Sequence, residues 1–481
     1  MTISNLYPDN AFPRREVFIP TPTQAGTISL LAGIVFAFLT INPNDLPSDM
    51  ARQVAYFVGG GFIASLWFDS TRGWSNLFRT DLVCLSGLYF FTLLEFLYPQ
   101  EDFNSKLTSE QTVAALHVLL IAIAALTIGR HFSLLKPVPK KWLNFQDIPD
   151  QTLFRIFLIS AFLGYYYMLS TVDFDILQAM DEMQKARFRQ SWSRGQMGGT
   201  EVFLSELKLL RYAIPPIGGI LINRRQTMRW WQIILVGLVL YFAFYQAFMG
   251  GTRNTFGSYL AGFLAGYILS LERVKLWKIL LPVGISGYIM LFITRHMLRF
   301  RTMGFRNYME SGGFEAVEAD EGLAIDYNLW PIGKIVDSMP DTYNFLGWEM
   351  INVFATKPVP RVLWPDKPFG LSVEISDIVG TTQMTVAATY VGEAYMLGGI
   401  IAVIVISLII GAASNWWTRI ISQQSSGYAI VVGALGFFVA AMTMRSLVFF
   451  TTIILPIIAL IFFAKFVPAL IGAQKKRKAE G

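Results

Sequence analysis

The chain has 481 residues, a formal net charge of +6 and 15% charged residues, against 54% apolar and 15% aromatic; soluble domains carry about 25% charge. With a mean hydropathy of +0.47, this composition excludes an ordinary soluble domain. It also argues against nucleic acid as the partner of the basic balance, because the cations lie in short loops between apolar blocks and in the tail Lys475-Lys476-Arg477-Lys478.

From the N-terminus, the stretch containing Pro13-Arg14-Arg15-Glu16 is polar and offers no short isolated apolar region, so no cleavable signal peptide is expected. Apolar runs of about 17 to 25 residues follow, long enough to cross about 30 Å of hydrocarbon as helix. They predict spans over 27–41, 53–68, 81–98, 111–129, 151–172, 205–222, 232–249, 254–271, 277–294, 386–411, 428–445 and 447–468. The run 205–222 carries Glu206, Lys208, Arg211 and Pro215-Pro216 and is expected to be kinked or partly interfacial. Only Arg445-Ser446 separates the last two runs, which demands a very tight turn or a re-entrant arrangement. The single cysteine, Cys84, lies inside a run, so no internal disulfide can form. The expected fold is all-α and polytopic, about 12 transmembrane helices in one membrane domain over 1–481, with 469–481 as a basic tail and no internal repeat.

Orientation follows from the basic loops, since cytoplasmic loops retain Lys and Arg. Arg72 and Arg79, then Arg130, Lys136, Lys140 and Lys141, then Arg224, Arg225 and Arg229, then Arg273, Lys275 and Lys278 mark every second loop. With Arg14, Arg15, Arg419 and the tail, both termini are expected in the cytoplasm. Two long outer loops result, 173–204 and 295–385. The second is far beyond the roughly 12 to 15 residues at which an irregular connection needs a functional reason. Its prolines and interspersed Trp and Phe predict short helices packed on the membrane domain.

Cations also occur outside, where the topology rule does not place them. Lys185, Arg187, Arg189 and Arg194 crowd the first long loop, Arg253 sits in Gly250-Gly251-Thr252-Arg253-Asn254, and Arg295, Arg299, Arg301 and Arg306 open the second. A cation near hydrocarbon costs about 2.5 to 3.5 kcal/mol at mid-bilayer, so a cluster calls for partners or a ligand. Guanidinium pairs bidentately with phosphate oxygens, and a lipid-linked pyrophosphate at the outer leaflet fits that requirement. The structural alternative pairs Arg187 and Arg189 with Asp181 and Glu182 and lets the Arg299 group snorkel to headgroups. Asp173-Phe174-Asp175 has the spacing of a divalent-cation motif, but such a tripeptide is frequent by chance, and neither a metal nor another cofactor is expected.

A second constellation is Pro360-Arg361-Val362-Leu363-Trp364-Pro365-Asp366-Lys367-Pro368, followed by Gly392-Glu393-Ala394-Tyr395-Met396-Leu397-Gly398-Gly399. Glu393 at the mouth of an apolar helix is costly unless used catalytically, paired with Arg361 or spent capping backbone amides.

Pro360-Arg361-x-x-Trp364-Pro365-x-Lys367-Pro368 with Gly392-Glu393-x-Tyr395-x-x-x-Gly399 resembles the signature of bacterial oligosaccharide repeat-unit polymerases, the Wzy-type O-antigen polymerases. The linear motif covers about 40 residues, while the many-span layout and arginine-rich outer loops are similar over most of the chain. The resemblance implies a GT-C-type glycosyltransferase of the bacterial inner membrane, acting in lipopolysaccharide or exopolysaccharide synthesis. It would move a growing chain from undecaprenyl pyrophosphate to an incoming lipid-linked repeat unit, with a flippase and a chain-length regulator as partners.

For that reaction Arg253, Arg361 and Arg445 are expected on the departing pyrophosphate, with Lys367, Arg295 or Arg299, Arg187 and Arg189 as further cations. Glu393 is the first candidate for the general base and Asp366 and His296 are the reserves, His296 being the one histidine of three placed outside. Trp364 and Tyr395 are the sugar-stacking candidates. The competing readings are a glycan ligase of the O-antigen-ligase type, using the same arginines, and a lipid-linked oligosaccharide transporter, for which polar groups at mid-membrane or broken helices would be needed.

Overall fold

The computed structural model describes residues 19–135, 149–193, 207–251, 253–271, 276–316, 327–359, 364, 366–367, 370–380, 386–423 and 426–462. Every regular element among the described residues is helical. The described parts of the apolar runs are largely helical, as expected where no water is present to satisfy backbone groups. Six helices are long and apolar enough to cross a membrane by length and composition: Ser109–Gly129, Asp150–Ser170, Trp230–Met249, Leu276–Ile293, Thr389–Ser422 and Gly427–Arg445. Gln24–Thr40, Thr80–Thr92 and Leu447–Phe462 are shorter apolar helices. The chain is a helical membrane protein.

Among the described residues two large apolar cores and a smaller one, around Ile335, Met350 and Met396, organise it. In the first, α1 (Gln24–Thr40), α2 (Pro47–Ser70), α3 (Thr80–Thr92) and α4 (Ser109–Gly129) enclose Val54, Leu88, Leu116 and Leu119. The second gathers α5 (Asp150–Ser170), α6 (Ile214–Asn223), α7 (Trp230–Met249), α8 (Arg253–Leu269), α9 (Leu276–Met303) and α10 (Gly427–Arg445) around Phe157, Ile217, Ala243, Met297 and Val432. The run 205–222 is broken as expected. Its described part is a 3-10 stretch, Leu207–Ala213, followed by α6, whose first turn holds Pro215 and Pro216. There the chain passes so close to α8 that a Cβ at Gly266 would lie 2.0 Å from the Pro216 carbonyl oxygen.

At one end, two carboxylates and two guanidiniums form a buried neutral network. Arg79 donates to Asp69 at 2.6 Å and to Asp81 at 3.0 Å, and Arg130 lies 3.8 and 4.0 Å from Asp81 and Asp69. Thr23 adds its N–H and hydroxyl to Asp69 at 2.8 and 2.7 Å, so α1 to α4 are tied at this Arg79 end.

The run expected as one span over 386–411 is built differently. Within Thr389–Ser422, Gly398 (φ −175°, ψ 38°) and Gly399 (φ 65°, ψ −155°) break the helix, the second conformation being open to glycine alone. The Leu346 and Gly347 N–H groups donate to the freed carbonyls of Met396 and Leu397 at 2.8 and 3.0 Å. The Tyr390 hydroxyl meets the Ser407 hydroxyl at 3.0 Å. These residues stand equally far on either side of the break, so the limbs fold against each other as a hairpin. The limb 389–397 folds back on the limb 400–422, which at 1.5 Å per residue is about 34 Å long and by itself of spanning length. Short helices precede it, among them Phe305–Glu310, Leu329–Ser338, Trp348–Thr356 and Ile375–Val379.

A candidate anion site at the Arg253 end

Loop glycines bring distant arginines together. Gly251 adopts φ +60°, and a Cβ on it would fall 2.5 Å from Cβ of Arg301. Only glycine lets the Gly250-Gly251 turn, which precedes Arg253 at the head of α8, lie against the last turn of α9. Gly304 (φ +90°) ends that helix, and the next N–H, of Phe305, donates to the Gln184 carbonyl at 2.7 Å. This bond places the 3-10 turn Arg187–Arg189 beside Arg301.

Arg445 closes α10 and completes the group. Burial, and then the charges of Arg301 and Arg445, hold the Arg187 guanidinium below its ordinary value. Arg187, Arg301 and Arg445 are all half-buried, so the repulsion that Arg301 and Arg445 exert on Arg187 is poorly screened. Such a cluster favours a polyanion.

The acids expected beside Arg187 and Arg189 are otherwise engaged. Glu182 binds Lys185, and Asp181 binds Arg306 at 2.8 Å. Asp175 of the Asp-x-Asp pair caps the helix Ile176–Met183 by accepting from the Leu177 and Gln178 N–H groups. No group of three or more His, Cys, Asp or Glu suited to a metal occurs among the described residues.

Glu393 takes the capping role. It is 5% exposed; Oε1 accepts from the Ser446 hydroxyl at 2.6 Å, and Oε2 accepts from the N–H groups of Leu447 and, at 3.0 Å, Val448. Ser446 is extended (φ −162°, ψ 126°), and its Oγ accepts from the Phe449 N–H at 3.1 Å. One carboxylate therefore clamps the tight turn after Arg445 onto the limb 389–397. With both oxygens engaged, it is poorly placed to accept a substrate proton.

The other expected residues are dispersed. His296 is buried, with Nδ1 2.8 Å from the Tyr308 hydroxyl and its ring against Phe292 and Phe314. Arg299 is half-buried and its charge acts on Tyr308, whereas Arg189 is exposed. Lys367 donates to the carbonyls of Lys357 and Val359 at 2.9 and 3.0 Å, beyond the end of Trp348–Thr356. Asp366 and Trp364 are exposed, and Tyr395 meets Phe345 edge-on at 5.9 Å. Arg361 and the Arg295 side chain lie outside the described residues.

Sequence reasoning named Arg301 without giving it a role and passed over Glu95. Glu95 is fully buried, and its Oε2 accepts from the Tyr327 N–H at 3.3 Å. Tyr327 in turn donates to Gln100 at 2.8 Å. Burial and the carboxylates of Glu95 and Asp102 push the Tyr327 hydroxyl up to about 12, against the pull of Arg253. The signal was present: Glu95 is a lone carboxylate in Phe90-Phe91-Thr92-Leu93-Leu94-Glu95-Phe96-Leu97, and such residues are seldom idle. Compared with known proteins, the chain matches no family model, and no curated protein or solved structure is significantly similar to it.

Proposed function

We propose that this protein polymerises polyprenyl-pyrophosphate-linked oligosaccharide repeat units on the non-cytoplasmic face of a bacterial inner membrane. The convergence of Arg187, Arg301 and Arg445, with Arg253 two residues beyond the Gly251 turn that packs against Arg301, carries the reading. In this reading the chain is a GT-C-type glycosyltransferase of about 12 spans with both termini in the cytoplasm, and the Arg253 end faces outward. A hydroxyl of the incoming repeat unit attacks C1 of the growing chain. The C1–oxygen bond breaks, polyprenyl pyrophosphate departs, and the hydroxyl proton passes to solvent or to a phosphate oxygen.

Charge accumulates on the departing pyrophosphate, and fixed guanidiniums in a partly desolvated site stabilise it without reorganising. With Glu393 committed to the Ser446 turn, the reaction relies on its good leaving group rather than on that carboxylate as base. The test is the protein in lipid with polyprenyl-pyrophosphate-linked repeat units, read as product length on a gel. A ladder lost in Arg301→Gln and Arg445→Gln supports the assignment, and its persistence in both variants removes the site. Extension of a non-polyprenyl acceptor without lengthening of repeats would make the protein a ligase.

The hairpin at Gly398-Gly399 favours a second reading, transport, because carriers use broken helices around their substrate. Accumulation of lipid-linked substrate in vesicles with no change in glycan length would establish it.

A further inference from the structure

Arg211 is a charge in an apolar setting. It lies on the 3-10 stretch Leu207–Ala213, against Gly164 of α5. At 1.5 Å per residue, Gly164 is about 21 Å from the Asp150 end of its helix, roughly two-thirds of the way across a hydrocarbon core of about 30 Å. The Arg211 Nε donates to the Gly164 carbonyl at 2.6 Å, and the guanidinium stands 4.7 Å over the ring of Tyr165. These contacts hold Nε and one face of the group. Its terminal amino groups have no hydrogen-bond partner among the described residues.

Tyrosines surround it. Tyr165 and Tyr259 are buried, and the Tyr165 hydroxyl lies beside that of Tyr259 without forming a well-shaped hydrogen bond. Tyr212, next in the chain, stacks on Phe438 at 4.5 Å and meets Tyr259 edge-on at 5.6 Å. Its hydroxyl bonds to Thr255 and feels the charges of both Arg211 and Arg187. A cation at such depth is costly unless a counter-charge joins it, and its tether to Gly164 limits snorkelling. Irregular backbone at membrane depth persists where it is enclosed by protein or lines a cavity.

We propose that Arg211 binds a lipid-borne phosphate, the lipid-side phosphate of a polyprenyl-linked substrate, while Arg187, Arg301 and Arg445 take the sugar-side phosphate. The assignment rests on the polymerase reading for the identity of the substrate. Its test reads binding alone, so failure of transfer and failure of this site are distinguishable.

The full chain in zwitterionic-lipid nanodiscs is titrated with undecaprenyl phosphate and undecaprenyl pyrophosphate. Arg211→Gln is expected to weaken monophosphate binding at least tenfold, and Arg301→Gln to weaken the pyrophosphate more than the monophosphate. Monophosphate binding by Arg211→Gln equal to that of wild type overturns the proposal. Should that variant not fold, phenylglyoxal modification of the wild type, read by mass spectrometry, decides instead. Protection of Arg211 by undecaprenyl phosphate supports the site, and modification undiminished at saturation refutes it. Equal protection by phosphatidylglycerol would also overturn it, by making the pocket a general headgroup site.

Discussion

Replacing Glu393 separates a clamp from a catalytic base. Glu393→Ala leaves the Ser446 hydroxyl and the Leu447 and Val448 N–H groups without their acceptor. Losing an N-cap costs about 1 kcal/mol, and hydrogen bonds to a charged group are worth about 1.5 to 3 kcal/mol each. Because the three share one carboxylate, a total of about 3 to 5 kcal/mol is expected, enough to lower Tm clearly and to loosen the turn carrying Arg445. Glu393→Gln behaves differently. Its amide oxygen can face the two N–H groups while its NH2 donates to Ser446 Oγ, so the charge and the acceptor of the Ser446 hydroxyl proton are lost, at about 1 to 2 kcal/mol. The assay is thermal unfolding beside ladder formation. The Gln variant is expected to stay folded and to lengthen repeats within about tenfold of wild type. A folded Gln variant with no turnover would refute the clamp and restore Glu393 as the base.

Arg445→Gln is expected to reduce kcat/KM about 10- to 100-fold, the worth of one charge-assisted contact of about 1.5 to 3 kcal/mol; steady-state kinetics on defined repeat units checks it. Gly251→Ala meets both the φ of +60° and the Arg301 side chain, so a loss of about 1 to 3 kcal/mol is expected in unfolding experiments, with activity falling in parallel. Asp69→Asn breaks the buried network at the Arg79 end and is expected to cost about 3 to 5 kcal/mol, read as reduced Tm and poor yield with substrate affinity unchanged in the folded fraction. Burial alone would raise the Glu182 carboxyl, but hydrogen bonds from Lys185 and Ser191 outweigh it and hold the group below its ordinary 4.5. A depressed folded value stabilises above the unfolded value and is lost as pH falls through the folded one. Hydrogen exchange in 183–191 is therefore expected to accelerate below about pH 4.5, and Glu182→Gln to remove that dependence.

Much of the architecture is readable from apolar run length, because hydrocarbon leaves the backbone few options besides helix. The break before Pro215 and the tight turn at Arg445-Ser446 are legible for the same reason: proline cannot continue a helix, and two residues cannot form a loop. The hairpin within 389–422 is not, since hydropathy is blind to chain direction and Gly398-Gly399 reads as one more pair of small residues within an apolar run. The cationic end was legible as composition but not as geometry. The convergence of Arg187, Arg301 and Arg445 depends on the positive φ values of Gly251 and Gly304, and the role of Glu393 depends on where the last helical hairpin turns. Glu95 and Arg211 were visible as charges in apolar runs; only the packing around Tyr327 and Tyr165 gives them a setting.

The most direct test of the central claim is a cryo-electron microscopy structure of the protein in a nanodisc with undecaprenyl pyrophosphate. A diphosphate held within about 3 Å of the guanidinium nitrogens of Arg187, Arg301 and Arg445 is the predicted result. A ligand bound at saturating concentration elsewhere, with those three arginines contacting only protein, would contradict it.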